Sequence, residues 1–482
     1  MEKQIWLDEA LYEYGGKDYY PFHMPGHKRV FCPETLKKPY MVDITEIDGF
    51  DDLHHAEGIL LEAQGRAASL YGALETRYLV NGSTSGILAA VSAGTSRGGE
   101  ILMARNCHKA AYHAAYLRGL KTHYVFPKTD RVMGLNGGIS PADVRKMLEN
   151  YPGIEAVLIT SPTYDGVVSD VKEIAETAHA FQVPLIVDEA HGAHFPFSDD
   201  FPKSALDCGA DVVIHSLHKT LPSLTQTALL HRNSERVRPD KLKRFLGIYQ
   251  SSSPSYLFMA GMDACVRLIR EEGRERFGEY VKRLKVCRER LKALKNLHLV
   301  SKDEILGLGS VYDLDESKLV ISAAGTAVDG TGLYRILLER YHLQMEMAAS
   351  RYVIALTSVM DTEEGLSRLE QALLDIDKDL GNAGSGRTGL SFEDMRKDMS
   401  GEVCTAIAEA VEGVQEEIDL ADSEGRISSE YAYLYPPGIP FLVPGERISS
   451  HVLRQLCIWK EQGLDIQGLN DYTLKKIHVL RR

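Results

Sequence analysis

The sequence lacks several features that would fix its role at once. Its seven cysteines, Cys32, Cys107, Cys208, Cys265, Cys287, Cys404 and Cys457, are odd in number, scattered, and form no C-x-x-C pair. That pattern argues against a disulfide frame or a zinc ribbon and fits reduced thiols in a cytosol. No apolar run approaches the length that spans a bilayer. The first twenty residues, MEKQIWLDEALYEYGGKDYY, carry acidic side chains and no apolar centre, so they do not read as a signal peptide. A basic excess is also missing: 55 Lys and Arg stand against 68 Asp and Glu, a formal charge of −13. Nucleic acid is therefore not an expected partner, because a phosphate backbone calls for a basic face. We expect a cytoplasmic protein with neither a membrane nor a nucleic-acid partner. The acidity is compatible with a cationic ligand, but mild acidity is ordinary in cytosolic enzymes.

What is present is the composition of a soluble globular protein, 44% hydrophobic and 26% charged over 482 residues, enough for two or three domains. From about 76 to 235, short apolar runs alternate with helical patterns. The runs are TRYLV, EILMAR, KTHYVF, AVLITSP, PLIVDEA and DVVIHSL; the helices between them include ILAAVSAG, AAYHAAYLRG, SPADVRKMLENY and DVKEIAETAHAF. Such alternation predicts βαβ units in an α/β fold, with a mainly parallel sheet covered on both faces. After a helical stretch to about 295, LHLVS, KLVISA and YVIALTS read as strands, with GTGLYRILLERY as a helix among them. We expect an N-terminal arm (1–50), a large domain (51–295), a smaller α/β domain (296–380) and a small C-terminal α+β domain (392–482). The Gly/Ser-rich GNAGSGRTGLS (381–391) reads as the linker before the last of these.

Ligands in open α/β sheets bind where loops leave the carboxyl ends of the strands. Here those loops read NGSTSG, NCHKA, SPTYDG, DEAHGAH and HSLHKT. Lys219 follows an apolar strand and sits among His215, Ser216 and His218. Most lysines at strand ends are solvated cations, but a nucleophilic lysine needs the partial desolvation such a place provides. Asp188 ends the apolar run PLIVD. It reads either as a helix cap or ion-pair partner, or as a carboxylate paired to a pyridinium nitrogen. The interval from Asp188 to Lys219 holds one crossover and one strand, so both reach the same sheet edge. Asn81-Gly82-Ser83-Thr84-Ser85-Gly86 is a strand-to-helix turn whose N–H groups and hydroxyls make an anion site; a plain N-cap is its commoner role. His108 stands in the next such loop, placed to stack on a ring. The pairs His23/His27, His54/His55, His191/His194 and His215/His218 invite a metal reading, but none has the helical H-E-x-x-H form; a metal-dependent hydrolase is the weaker alternative.

Taken together, these segments resemble the Orn/Lys/Arg decarboxylase family of fold-type-I pyridoxal-phosphate enzymes, and most closely its short bacterial arginine or lysine decarboxylases. The residues that carry the resemblance are PFHMPGHK (21–28), DDLH (51–54), NGSTSG (81–86), RNCHKA (105–110), SPTYDGV (161–167), VDEAHGAH (187–194), SLHK (216–219), SSSPSY (251–256) and YPPGIPFLVPGE (435–446). The resemblance implies pyridoxal 5'-phosphate as cofactor, bound to Lys219 as a Schiff base. Asp188 would pair with the pyridine nitrogen, and His108 would stack on the ring. Ser83, Thr84, Ser85 and Ser216 would bind phosphate, and His218 would sit beside the reacting bond. His191 stands where larger members carry an aromatic residue, and it would contact the ring. The SSSPSY segment, with Ser252, would reach the phosphate of a neighbouring subunit, so a homodimer or higher homo-oligomer with shared sites is implied. The implied reaction is decarboxylation of arginine, lysine or ornithine to a polyamine-type amine. Glu346, Asp361 and Glu446 are the carboxylates considered for the substrate's cationic end. Other readings remain open: an aminotransferase, with Arg351 holding the substrate carboxylate, and a non-catalytic cofactor-binding protein.

Overall fold

A computed structural model describes residues 16–128, 135, 137–308, 310–383, 401–434, 438–461 and 465–481. Part of the expected N-terminal arm (1–15), most of the expected linker (384–391), residues 392–400 after it and the YPP of YPPGIPFLVPGE (435–437) lie outside the described residues. Among those described, no helix is long and apolar enough to cross a membrane.

Seven strands build the main sheet: β1 (Glu75–Leu79), β2 (Glu100–Ala104), β3 (Lys121–Val125), β4 (Ile154–Thr160), β5 (Leu185–Asp188), β6 (Val212–His215) and β7 (Ala228–Arg232). Their order across the sheet is β1-β7-β6-β5-β4-β2-β3. β2 to β6 pair in parallel, while β7 runs antiparallel to both neighbours, β6 and β1. Six of the seven coincide with the apolar runs of the sequence. They read as near-continuous Val, Ile and Leu because both faces of a central parallel strand are covered. β7, with the sequence ALLHR, was not expected: its five residues carry no β-branched side chain and follow a turn rather than a helix.

Helix α1 (Gly82–Gly94) covers one face and begins five residues before the expected ILAAVSAG, so the NGSTSG turn is largely its first turn. Its approach to the sheet is close enough that a Cβ on Gly86 would stand 2.6 Å from Leu79 Cδ1 and 3.3 Å from Ile214 Cγ2. Overpacking of that kind costs about 1–3 kcal/mol in a rigid core, so glycine is needed there. On the opposite face, Tyr71 of the helix Ile59–Tyr71 packs on His215 and His231, with ring centroids 5.1 and 4.7 Å apart.

The smaller sheet joins His298–Leu299, Lys318–Ser322, Tyr352–Leu356 and Met347–Ala348, all antiparallel, beside the helix Gly330–Tyr341. The N-terminal strand Tyr20–Phe22 pairs in parallel with Leu343–Met345. The following turn is anchored from both sides. Gly26 N–H donates to His218 O at 2.7 Å, and buried Lys28 donates to the carbonyls of Pro21, His23 and Leu356. Residues 420–479 enclose a separate apolar cluster that includes Leu420, Leu442, Ile448, Val452, Leu456 and Val479.

Candidate functional site

The carboxyl ends of β1, β2, β4, β5 and β6 converge with the amino end of antiparallel β7 around one cavity of about 310 Å³. Its walls come from the loops singled out in the sequence: Ser83 and Thr84 after β1, His108 after β2, Asp188 and His191 at β5, His218 and Lys219 after β6. Met24 from the N-terminal turn and Ile439 from the C-terminal part also reach it.

Lys219 lies in the four-residue helix Leu217–Thr220 that follows β6. The residue as a whole is half-buried, with Nζ 2.9 Å from His191 Nε2. Burial pushes its pKa down; the charges of Asp188 and Glu346 oppose this, and Lys318 adds to it. Asp188, 5% exposed, accepts the Ala190 N–H at 3.2 Å. Burial pushes its carboxyl up, and Lys219 pulls it back. The lysine and the carboxylate therefore share one low-dielectric cavity, each the other's main counter-charge.

Burial keeps the histidines around them neutral, and hydrogen bonds to backbone groups fix the tautomers of two of them. His218 Nδ1 stands 3.0 Å from the Thr227 carbonyl, which only accepts, so Nδ1 carries the proton and Nε2 is left as an acceptor. Burial holds its pKa down to about 4. His108 caps helix α2 (Lys109–Arg118): its Nδ1 accepts the Ala110 N–H at 3.2 Å, so Nε2 bears the hydrogen. Burial, then Lys219, lowers His108 to about 3. His191 is buried and held well below the usual imidazole value, first by burial and then by Lys219; its Nδ1 has no partner among the described residues. Its ring meets Tyr164 edge-on at 4.7 Å.

Three expected residues do not line the cavity. Ser85 turns back into α1, donating from Oγ to Gly82 O at 2.8 Å, as helical serines do when they bond to the preceding turn. It is 2% exposed and does not line the cavity, which leaves Ser83 and Thr84 as the hydroxyls facing it. Ser216 is fully buried behind the lining, with an Oγ lacking a partner among the described residues. Ser252 is exposed and does not line the cavity, although the neighbouring Ser251 N–H donates to Asn81 Oδ1 of the lining at 3.2 Å.

Two of the carboxylates considered for substrate are held by other groups. Glu446 makes a two-pronged pair with buried Arg105, at 3.1 and 3.0 Å, and accepts the Val443 N–H. Pulling it away would strand a buried charge at about 3–5 kcal/mol, more than the ~0–1 kcal/mol that a solvated ion pair returns. Asp361 accepts from Tyr20 Oη and the Ser358 N–H and lies 3.8 Å from Lys28 Nζ. Glu346 stays near the cavity, hydrogen-bonded to the Met24 N–H and to the Tyr164 hydroxyl, both residues of the lining. Arg351 does not line it.

Asn106, Thr160, Thr163, Tyr164, Thr225 and Gln226 line the cavity without having been singled out. The first four lie within or beside motifs already read, so position at a strand end would have found them. Thr225 and Gln226 depend on β7, whose direction the sequence pattern does not reveal. The paired histidines go to separate partners: His54 to the Ser251 carbonyl, His194 to Asp315, His215 to Glu189 and His231. Among the described residues, no three His, Cys, Asp or Glu side chains gather as metal ligands.

Comparison with known proteins places this geometry in a family. The model of the Orn/Lys/Arg decarboxylase major domain matches residues 6–318, and that of the family's C-terminal domain matches 391–471. The arginine decarboxylase of Bacillus subtilis (strain 168) is 31% identical, over 98% of this chain and 97% of its own. Among solved structures, the constitutive lysine decarboxylase of Escherichia coli superposes with a TM-score of 0.72 at 20% identity, covering 88% of this chain and 74% of that one. An alanine–glyoxylate aminotransferase from Nostoc sp. gives 0.53 at 16% identity, over 66% of this chain and 86% of that one. The expected fold class, a fold-type-I arrangement with a mainly parallel large-domain sheet, is thereby shown.

Two histidines of the site and one behind it predict how stability depends on pH. His108 and His215 are held to about 3 and His218 to about 4 by burial, against 6.5 when free. The unfolded chain binds these protons first, so the stability they contribute is fully present above pH 6.5 and lost progressively as pH falls from 6.5 toward 4 and 3. Calorimetry of the cofactor-free protein should show the melting temperature dropping steadily from pH 6.5 to 4. A flat profile across that range would mean that these side chains are not buried and neutral.

Proposed function

The chain belongs to the Orn/Lys/Arg decarboxylase family, and on that premise we propose that it removes the α-carboxylate of a basic amino acid as CO₂, with pyridoxal 5'-phosphate held at Lys219. The cavity fits such a group. It offers a half-buried lysine opposite a buried carboxylate, and it or its immediate surround contains polar atoms with no partner among the described residues: Ser216 Oγ, His191 Nδ1, Asn106 Oδ1 and Thr160 Oγ1. Buried polar atoms are normally paired, so four around one cavity support a polar occupant. The facing pair Lys219 and Asp188 carries the reading.

Lys219 would hold the cofactor's aldehyde carbon, and burial favours its amine in the neutral, nucleophilic form. Asp188 would hold the ring nitrogen in its protonated state. His108, neutral and fixed at the start of α2, would lie against the ring. Ser83, Thr84 and Ser216, with the N–H groups at the start of α1, would bind the phosphate. When bound, the cofactor supplies an electron sink for the pair released as the bond from Cα to the carboxylate breaks. The chain must then orient that bond and return a proton to Cα. His218 is neutral with its hydrogen committed to the Thr227 carbonyl, so Nε2 serves as an acceptor. Proton return would therefore fall to Lys219 Nζ, once it has taken up the proton given up by the incoming substrate's α-ammonium, with His191 Nε2 at 2.9 Å as its partner.

Arginine and lysine are the favoured substrates in this reading, and Glu346 is the carboxylate that remains beside the lining to receive a cationic side chain. The chain acts as a homodimer. Val30, Tyr40, Met41, Ile47 and Phe50 are 58, 94, 79, 49 and 44% exposed. An apolar stretch of that extent marks an interaction surface. A second copy covering it would also give exposed Ser252 a place in the neighbouring site.

Purified protein loaded with pyridoxal phosphate should release CO₂ from arginine, lysine or ornithine without forming a 2-oxo acid, and Lys219→Ala should lose nearly all turnover while still folding. Oxo acid without CO₂ would point to an aminotransferase. Sedimentation of the loaded protein should give a dimer or a larger assembly; a monomer at assay concentration would remove the shared-site reading.

A further inference from the structure

The segment DEAHGAH serves both faces of the sheet, and only one of them meets the cavity. Asp188 and His191 turn toward Lys219. Glu189 turns to the opposite face, where it is 1% exposed. Its Oε2 accepts from Ser204 Oγ at 2.7 Å and is hydrogen-bonded to His215 Nε2 at 2.6 Å, while Oε1 accepts the Ala205 N–H at 2.9 Å. From His215 the contacts continue: Nδ1 is 3.1 Å from His231 Nε2, and His231 Nδ1 is 2.8 Å from Thr76 Oγ1. The polar chain thus runs from the end of β5 through β6 and β7 to β1, with Tyr71 packed on both rings. Gly192 makes room for it, since a Cβ there would stand 2.6 Å from Glu189 Cγ.

Burying a carboxyl group and two imidazoles costs desolvation that apolar side chains of similar size would avoid, so stability alone is a poor reason for the arrangement. Its place in the fold suggests another. The backbone ladder between β5 and β6 runs Ile186↔Val212, Val187↔Val213, Asp188↔Ile214 and ends there. Glu189 and His215 are the next residues on the two strands, and their side chains continue the pairing where the ladder stops. Asp188 precedes Glu189 directly, and His215 leads directly into Ser216 and the turn that carries Lys219. Ser204 and Ala205 belong to the crossover between the same two strands. One carboxyl group therefore ties together both strand ends and the segment that connects them.

We propose that Glu189 is a positioning residue which, through His215, fixes the separation of Asp188 and Lys219. The proposal rests on the pyridoxal-phosphate reading, because that cofactor must span from the lysine to the carboxylate and would register any splaying of the strands. Glu189 touches neither cofactor nor substrate; it acts from the rear face of the sheet.

Three variants test it by titrating pyridoxal phosphate into cofactor-free protein and following the visible band against pH. Burial raises the Glu189 carboxyl to about 8, so it is held neutral beside the neutral His215; Glu189→Gln keeps that neutral shape and an N–H toward His215 Nε2, and should match the parent in affinity and in pH profile. Glu189→Ala should bind the cofactor about tenfold more weakly, the cost of one buried hydrogen bond left unmade, with the midpoint of the band's pH profile displaced. If Glu189→Ala does not fold, Ser204→Ala, which removes one of the carboxyl group's donors, must show the same displacement in smaller measure. Melting of the cofactor-free proteins separates position from stability: the displacement must persist at temperatures far below unfolding. A folded Glu189→Ala with the parent's affinity and profile, or an unfolded one accompanied by an unaltered Ser204→Ala, overturns the positioning role alone. A parent protein that takes up no cofactor overturns the cofactor reading and this proposal with it.

Discussion

The site depends on the desolvation of Lys219 opposite Asp188. An ammonium in water is a poor nucleophile and a carboxylate in water is a weak partner for a ring nitrogen. Placed together at the ends of two adjacent parallel strands, each lowers the other's cost of burial. The remaining features preserve this pair. β5 and β6 lie side by side at the centre of the sheet, α1 closes one face, and Gly26 braces the lysine turn through the His218 carbonyl. The neutral histidines follow from the same constraint, because a further cation beside Lys219 would raise the cost of burying it.

Much of this was legible in the sequence because a covered parallel sheet leaves a plain mark. Six of the seven strands appear as short apolar runs, and polar residues at the carboxyl ends of five of them fall around one cavity. The helix Gly330–Tyr341 coincides with the twelve residues GTGLYRILLERY read as a helix. What escaped depends on direction and on pairings distant in sequence. β7 reads as an unremarkable five-residue stretch, yet its antiparallel course brings Thr225 and Gln226 to the site. Ser85 was grouped with Ser83 and Thr84, but the helix period turns it inward. Glu446 and Asp361 looked available until their partners, Arg105 and Lys28, were located more than 300 residues away in sequence.

Those distant pairings also explain why one cavity draws on the whole chain. Arg105, at the end of β2, holds Glu446 and donates to the Pro440 and Phe441 carbonyls, and Lys109 N–H donates to Gly438 O. The loop that carries His108 is therefore bound to the segment that brings Ile439 into the lining. At the other side, Tyr20–Phe22 pairs with Leu343–Met345, Lys28 binds the N-terminal turn to Leu356 of the smaller sheet, and Met24 enters the cavity from there. The large-domain sheet supplies the chemistry of the site, and these two segments complete its walls.

The central claim concerns one nitrogen atom. Borohydride reduction of the loaded protein, followed by proteolysis and mass spectrometry of the peptides, locates the lysine that carries the cofactor. The account predicts a single pyridoxyl mass on the peptide that contains Lys219. Attachment instead at Lys28, Lys109 or Lys318, with Lys219 unmodified, would contradict it.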